Sequence, residues 1–253
     1  MKYLFLLLIF ITHIGLAMTP ERARNVILND TDAQFAFEFA RDKRNKQSTN
    51  EQIVDNVLIP IAYHESKLNA KQLQKVAEFD YNKHGQGLYQ FEKPSIRSAL
   101  RRAFRLILDS KKIPFTTDSD TLKQAKVPNY MIQMYQKLDQ GKQVDFTQLS
   151  PGQQSAIAVF NFLGHPTANI DNVSLGDQKI HSFWYNNHWS GAKKSNRQTQ
   201  LDRKNSFTRD YNELMSNKKE RTLVTGDELI NNLSNRVRNV KRPPIKGNPG
   251  GLL

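Results

Sequence analysis

At 253 residues the chain is long enough for one enzyme-sized domain with extensions and a core that needs no staples; a second full domain is not expected. It contains no cysteine, which excludes disulfides, thiolate metal sites and cysteine nucleophiles. A formal net charge of +13 draws the surface toward polyanions, whether nucleic acid, anionic lipid or the acidic polymers of a bacterial cell wall, without choosing among them.

The first predicted element is apolar. Lys2 precedes the run Tyr3 to Ile11, and Gly15-Leu16-Ala17 offers small residues where a signal peptidase cuts, so residues 1–17 read as an export signal. The alternative is an uncleaved membrane anchor, although Tyr3 to Met18, interrupted by Thr12 and His13, is short for a spanning helix of about 20 residues. Either reading puts the mature chain outside the cytoplasm, periplasmic or membrane-associated. Residues 18–48 then read as a helical lead-in and linker with one amphipathic helix, Asp32 to Arg44.

Thr49 to Ser66 predicts a helix on which Val54, Val57, Leu58, Ile61 and Ala62 share one face, and Glu65 continues that face. Pro60 removes one backbone hydrogen bond and predicts a bend or restart just ahead of Glu65. A carboxyl held against an apolar stripe loses hydration that its charged form needs, which favours the protonated form a general acid requires. The plain alternative is a structural carboxylate paired with Lys or Arg.

Lys75 to Glu92 lacks helical spacing and reads as loop with at most a short hairpin. Pro94-Ser95 opens a long helix with Ile96, Ala99, Leu100, Ala103, Phe104, Ile107 and Leu108 facing in and Arg97, Arg101, Arg102 and Arg105 facing out. Pro128 to Leu138 reads as a short helix. Ser150-Pro151-Gly152-Gln153 combines an N-cap, a first-turn proline and a capping-box glutamine, and Gly164 with Pro166 ends the helix it starts. That helix is apolar almost all round through Ala156, Ile157, Val159, Phe160 and Leu163, which predicts the central buried helix of the core. An aromatic cluster, Phe183, Trp184, Tyr185 and Trp189, follows, either stacking on sugar rings or closing the core. Two basic amphipathic helices are predicted around Phe207 to Met215 and Asp227 to Val240. Residues 242–253, rich in Pro and Gly, predict a disordered tail.

Glu65-Ser66, then Asn69, then Gly87-Leu88-Tyr89-Gln90, then Val159-Phe160-Asn161 resembles, in order and approximate spacing, the catalytic signature of the lytic transglycosylases with a lysozyme-like fold. The resemblance spans roughly Gln52 to Leu163. The runs Gly85 to Glu92 and Phe183 to Gly191 also resemble segments of peptidoglycan-degrading proteins carried in bacteriophage virions. The resemblance implies cleavage of the MurNAc–GlcNAc bond in peptidoglycan glycan strands with Glu65 as acid and then base. Ser66 would orient the acid or the substrate acetamido group, while Leu88, Tyr89 and Gln90 would hold the sugar. Phe160, standing where that family usually has Tyr, and Asn161 would fix the loop or bind substrate. The sugar's own acetamido and 6-hydroxyl groups would replace a second carboxylate, and no cofactor or metal is implied.

A hydrolytic muramidase would need a second carboxylate, for which Glu78, Asp80 and Glu92 are the candidates. Glu78 and Asp80 also read as solvated loop charges, and Glu92 as lining the cleft or pairing with an arginine of the next helix. A non-enzymatic basic protein binding cell wall or nucleic acid is the other class, with nucleic acid the disfavoured partner. The six histidines show no His-Glu-x-x-His spacing, and His165, His181 and His188 read as ordinary loop or core residues, so no metal site is expected. The expected architecture is mainly α, of the α+β lysozyme-like kind: a catalytic domain over 49–190 around a central helix, with at most a small β-hairpin near the cleft. A basic helical extension covers 191–241. The sequence does not indicate an oligomeric state.

Overall fold

Helix termini along this chain are written in its capping residues. Thr19 Oγ1 accepts the Arg22 N–H at 3.2 Å and Pro20 fills the first turn, where no N–H is needed, so α1 runs Pro20–Asn29. Asp30 then accepts the N–H groups of Asp32 and Ala33 at 2.9 and 3.1 Å, which starts α2, Thr31–Ala40, with no linker between. The lead-in thus holds two helices where one was expected. Thr19-Pro20 and Asp30 were the signals passed over. The computed structural model describes residues 17–40, 48–163, 178–187 and 196–238. The expected leader up to Leu16, the Gly164 and Pro166 stop, His165, His188, Trp189 and the tail from residue 242 lie outside them.

The Glu65 segment is one helical run in three parts: α3, Asn50–Ile53; a wide π turn, Val54–Leu58; and α4, Ile59–Ser66. Thr49 and Gln52 form a capping box at its start, with bonds of 3.2 and 2.9 Å. Proline has no N–H and its ring crowds the carbonyl four residues back. The chain absorbs Pro60 by widening the turn before it, and the Ile59 N–H bonds the Val54 carbonyl five residues away. Val54, Val57, Leu58, Ile61 and Ala62 are all fully buried.

The remaining helices are α5, Lys93–Ser110; α6, Ser119–Gln124; α7, Asn129–Asp139; α8, Pro151–Leu163; α9, Gln178–Asn187; and α10, Arg197–Arg238. A short 3₁₀ turn, Phe146–Gln148, precedes α8. The Ser150–Gln153 capping box forms, at 3.0 and 3.2 Å. Every residue of α8 from Gln154 to Leu163 is buried, and the helix packs against α1, α2, α5 and the π turn as the hub of the core. Gly152 lies so close to Asp30 that a Cβ there would come 1.8 Å from the carboxyl carbon, so this crossing requires glycine.

The seven inward positions predicted for α5 are all buried. Arg97, Arg101 and Arg105 are exposed, but Arg102 turns inward and donates to the Asn161 backbone carbonyl. The loop between α4 and α5 holds isolated antiparallel bridges, Leu73 with Gln86 and Gln86 with Phe91, so the hairpin reduces to bridged pairs and the fold is mainly α. Where two C-terminal helices were expected, α10 is continuous. Residues through Leu214 form one compact unit; a second begins at Met215 and its described part, to Arg238, is helical. No helix among the described residues is long and apolar enough to cross a membrane.

Candidate active site

Glu65 occupies the last turn of α4, one residue before the chain leaves the helix through Lys67 and Leu68, both left-handed at φ 53° and 63°. The Leu68 N–H reaches back to the Ala62 carbonyl at 3.3 Å and the Lys67 N–H to Tyr63 at 2.9 Å, satisfying carbonyls that a helix end leaves open. The Glu65 carboxylate thereby reaches a groove of about 460 Å³. Gln72, Gln74, Gln90, Glu92, Ser95 and Trp184 share its lining with His64, and Lys67, Lys75 and Arg203 supply a basic rim.

The indole N–H of Trp184, on α9, donates to Glu65 Oε1 at 2.6 Å. Trp184 is only 1% exposed, so it contributes its polar edge to the groove and its rings to the core. Its indole packs against His64 edge-on, centroids 4.9 Å apart, and against Phe207 of α10 at 5.1 Å. His64 Nδ1 in turn lies 2.8 Å from Asp210 Oδ2, with both side chains buried. Lys67 Nζ approaches the other Asp210 oxygen at 2.8 Å. Burial opposes the Asp210 charge, but the hydrogen bonds from Lys67 and His64 hold its carboxyl below the usual carboxylate range. Burial and the Glu213 carboxylate, bonded at 2.7 Å, push the Tyr63 hydroxyl up to about 12.

Ser66 does not address Glu65. Its hydroxyl lies 3.0 Å from the Ala62 carbonyl and 2.9 Å from the Leu88 carbonyl, and it accepts the Asn69 N–H at 3.2 Å, so it ties the end of α4 to the Gly87-Leu88 segment. The far side of that segment is held by Gln154, fully buried on α8. Its Oε1 accepts the Leu88 N–H at 2.8 Å, and its Nε2 donates to the Ala70 and Leu149 carbonyls at 3.0 and 3.1 Å. Gly87 has φ +73°, and a Cβ there would come 2.3 Å from Gln154 Oε1. Gln86, also fully buried, accepts the Phe146 N–H at 2.7 Å and donates to the Tyr81 carbonyl at 3.1 Å. Neither Gln154 nor Gln86 was singled out from sequence; a glutamine inside an otherwise apolar helix was the available signal for Gln154.

The structure brings Glu65, Gln90 and Glu92 together and leaves other predicted residues elsewhere. Gln90, at φ 47°, donates to the Gly87 and Gln72 carbonyls at 2.9 and 3.2 Å and presents its remaining surface to the groove. Tyr89 is fully buried, bonded to Ser155 at 2.9 Å, and burial pushes its hydroxyl up. The Leu88 side chain and Phe160 are core residues. Asn161 does not line the groove: Arg102 takes both its backbone carbonyl and, at 3.1 Å, its side-chain oxygen. On a helix buried all round, a polar side chain needs such a partner.

Of the three other carboxylates, Glu78 is exposed and away from the groove. Asp80 closes its own turn: it accepts the Asn82 N–H at 2.8 Å and pairs with Lys83 at 3.3 Å, and the backbone bond leads the effects that lower its carboxyl. Glu92 alone of the three lines the groove; it stands at the N-cap of α5 without a side-chain capping bond. Among the described residues no group of three His, Asp or Glu side chains could hold a metal ion. The groove therefore combines two carboxylates from separate elements, several amides and a basic rim, a lining suited to a polar, hydroxyl-rich ligand carrying negative charge. Comparison with protein-family models, with curated proteins and with solved structures finds no match for this chain.

Proposed function

We propose that the protein is an exported enzyme that cleaves the MurNAc–GlcNAc bond of peptidoglycan glycan strands, with Glu65 as general acid. The observation that carries this reading is the meeting of Glu65, Trp184 and Gln90 on one polar groove of about 460 Å³. Glycosidic cleavage needs a proton on the leaving oxygen as positive charge grows on the ring. Glu65 gives that proton and the bond from the sugar carbon to the leaving oxygen breaks. The substrate acetamido oxygen bonds to the same carbon. Glu65, now a carboxylate, takes the proton of the 6-hydroxyl, whose oxygen displaces the acetamido oxygen and closes a 1,6-anhydro ring. The enzyme ends as it began and no water is consumed. Gln72, Gln74 and Gln90 suit the amide and hydroxyl groups of the amino sugars, and the rim cations suit the carboxylates of peptide-bearing strands.

Glu92 favours a second reading, a hydrolytic muramidase, because it shares the groove with Glu65 and such an enzyme needs a second carboxylate there. Digestion of purified peptidoglycan followed by mass analysis of the fragments separates the two. Products lighter by one water mark the transglycosylase; reducing ends mark the hydrolase. Glu92→Gln should leave a transglycosylase within about twofold of its rate and should disable a hydrolase by about a hundredfold or more, as loss of a required acid–base group does. Glu65→Gln should abolish cleavage in both cases while binding to the wall persists. A protein that binds the wall and releases no fragments at all would be a non-enzymatic binder, and the proposal would fall.

A further inference from the structure

The C-terminal region, expected as a basic extension beyond the catalytic domain, enters the groove. Arg203 of α10 lines it. Phe207, one turn on, is 1% exposed and packs on both His64 and Trp184, at 5.0 and 5.1 Å. Asp210, nearly a turn further, is 5% exposed, a position where a carboxylate is costly unless it is paired and hydrogen-bonded. It is paired, to His64 and Lys67 at 2.8 Å each, with Arg209 at 3.6 Å. Both close partners flank Glu65 in sequence.

We propose that Asp210 is a positioning residue for Glu65, acting through His64 and the Trp184 indole, so that residues 197–214 belong to the catalytic site. The path is short and continuous. Asp210 fixes the His64 ring; His64 and Phe207 pack on each other and both on the indole; and the indole N–H fixes one oxygen of the Glu65 carboxylate. An acid must meet its leaving oxygen within hydrogen-bond reach, and displacements of about 1 Å cost about a hundredfold in rate. The inference rests on Glu65 being the acid of a glycan-cleaving enzyme.

The test uses the full chain carrying Trp189→Phe, which leaves Trp184 as the single tryptophan of the two. In that background Asp210→Asn should lower kcat on purified glycan strands about tenfold with KM within about twofold, and should shift the Trp184 emission to longer wavelength. Unchanged emission, or shifted emission with unchanged kcat, overturns the proposal. Should Asp210→Asn fail to fold, Phe207→Leu loosens both the indole and the His64 ring that Asp210 holds, and is judged by the same two readings. If the parent protein cleaves no glycan, the functional reading fails, and the emission alone decides whether Asp210 holds the indole; no shift there refutes the positional link as well.

Discussion

Trp184 donates its indole N–H to the Glu65 carboxylate at 2.6 Å from a residue 119 positions further along the chain. The donor fixes one oxygen of a side chain that lines the groove, and an indole 1% exposed keeps water off that side of the carboxylate. The contact joins an aromatic core cluster to the one carboxylate that the helical pattern had placed on an apolar face.

Trp184→Phe tests that contact most directly. Phenylalanine keeps a ring against His64 and Phe207 but has no donor, and a hydrogen bond to a charged group contributes about 1.5–3 kcal/mol. Glycan cleavage should fall by about tenfold or more while the circular dichroism spectrum is retained; release of soluble fragments from purified peptidoglycan measures the rate.

Gly87→Ala should destabilise the fold by about 2–5 kcal/mol, since it adds left-handed strain to overpacking. The backbone there has φ +73°, and the new methyl would sit 2.3 Å from Gln154 Oε1 and 2.9 Å from the Phe146 ring. Urea unfolding of the variant beside the parent protein gives the difference.

Gln154→Leu fills the same volume with an apolar side chain and strips partners from the Leu88 N–H and from the Ala70 and Leu149 carbonyls. Each buried group left unsatisfied costs about 1–3 kcal/mol. The Leu88 N–H is the buried one of the three, so a loss of at least about 1 kcal/mol is expected in the same unfolding measurement, together with faster proteolysis in the loop from residue 68 to 92.

Acid should expose the Asp210 contact. The folded protein holds this carboxyl below its unfolded value, so the folded state binds fewer protons and stability falls as pH falls. The contribution is complete above the unfolded value near pH 4 and is lost as pH drops through the folded one. Thermal unfolding of the parent and of Asp210→Asn should differ most above about pH 4 and converge below it.

Much of the architecture was legible because it depends on local rules. The buried face of α5, the Ser150–Gln153 cap and the central helix follow from spacing and capping chemistry, and each was expected at its residues. Glu65 stood out as a carboxylate on an apolar helix face, and Glu92 as a candidate to line the cleft. The partners that organise the site were not legible, because His64 with Asp210, Leu88 with Gln154 and Glu65 with Trp184 are separated by 146, 66 and 119 residues. Periodicity reports which face of a helix is buried and nothing about what meets it. Asn161 shows the same gap from the other direction: its sequence neighbourhood resembled a substrate-binding motif, whereas its polar group is engaged by Arg102.

The wide turn at Val54–Leu58 makes the aim of Glu65 a matter of counting as much as of chemistry. One residue of an α-helix corresponds to a rotation of about 100°. A turn that already holds one residue more than the ordinary pitch can lose that residue and close with Glu65 still on the same face. One more residue added there would swing everything downstream and carry Glu65 out of the groove with every side chain of the motif intact. A comparison that scored letters alone would rank such an insertion as minor, yet it would move the carboxylate off its face as surely as replacing it would remove it.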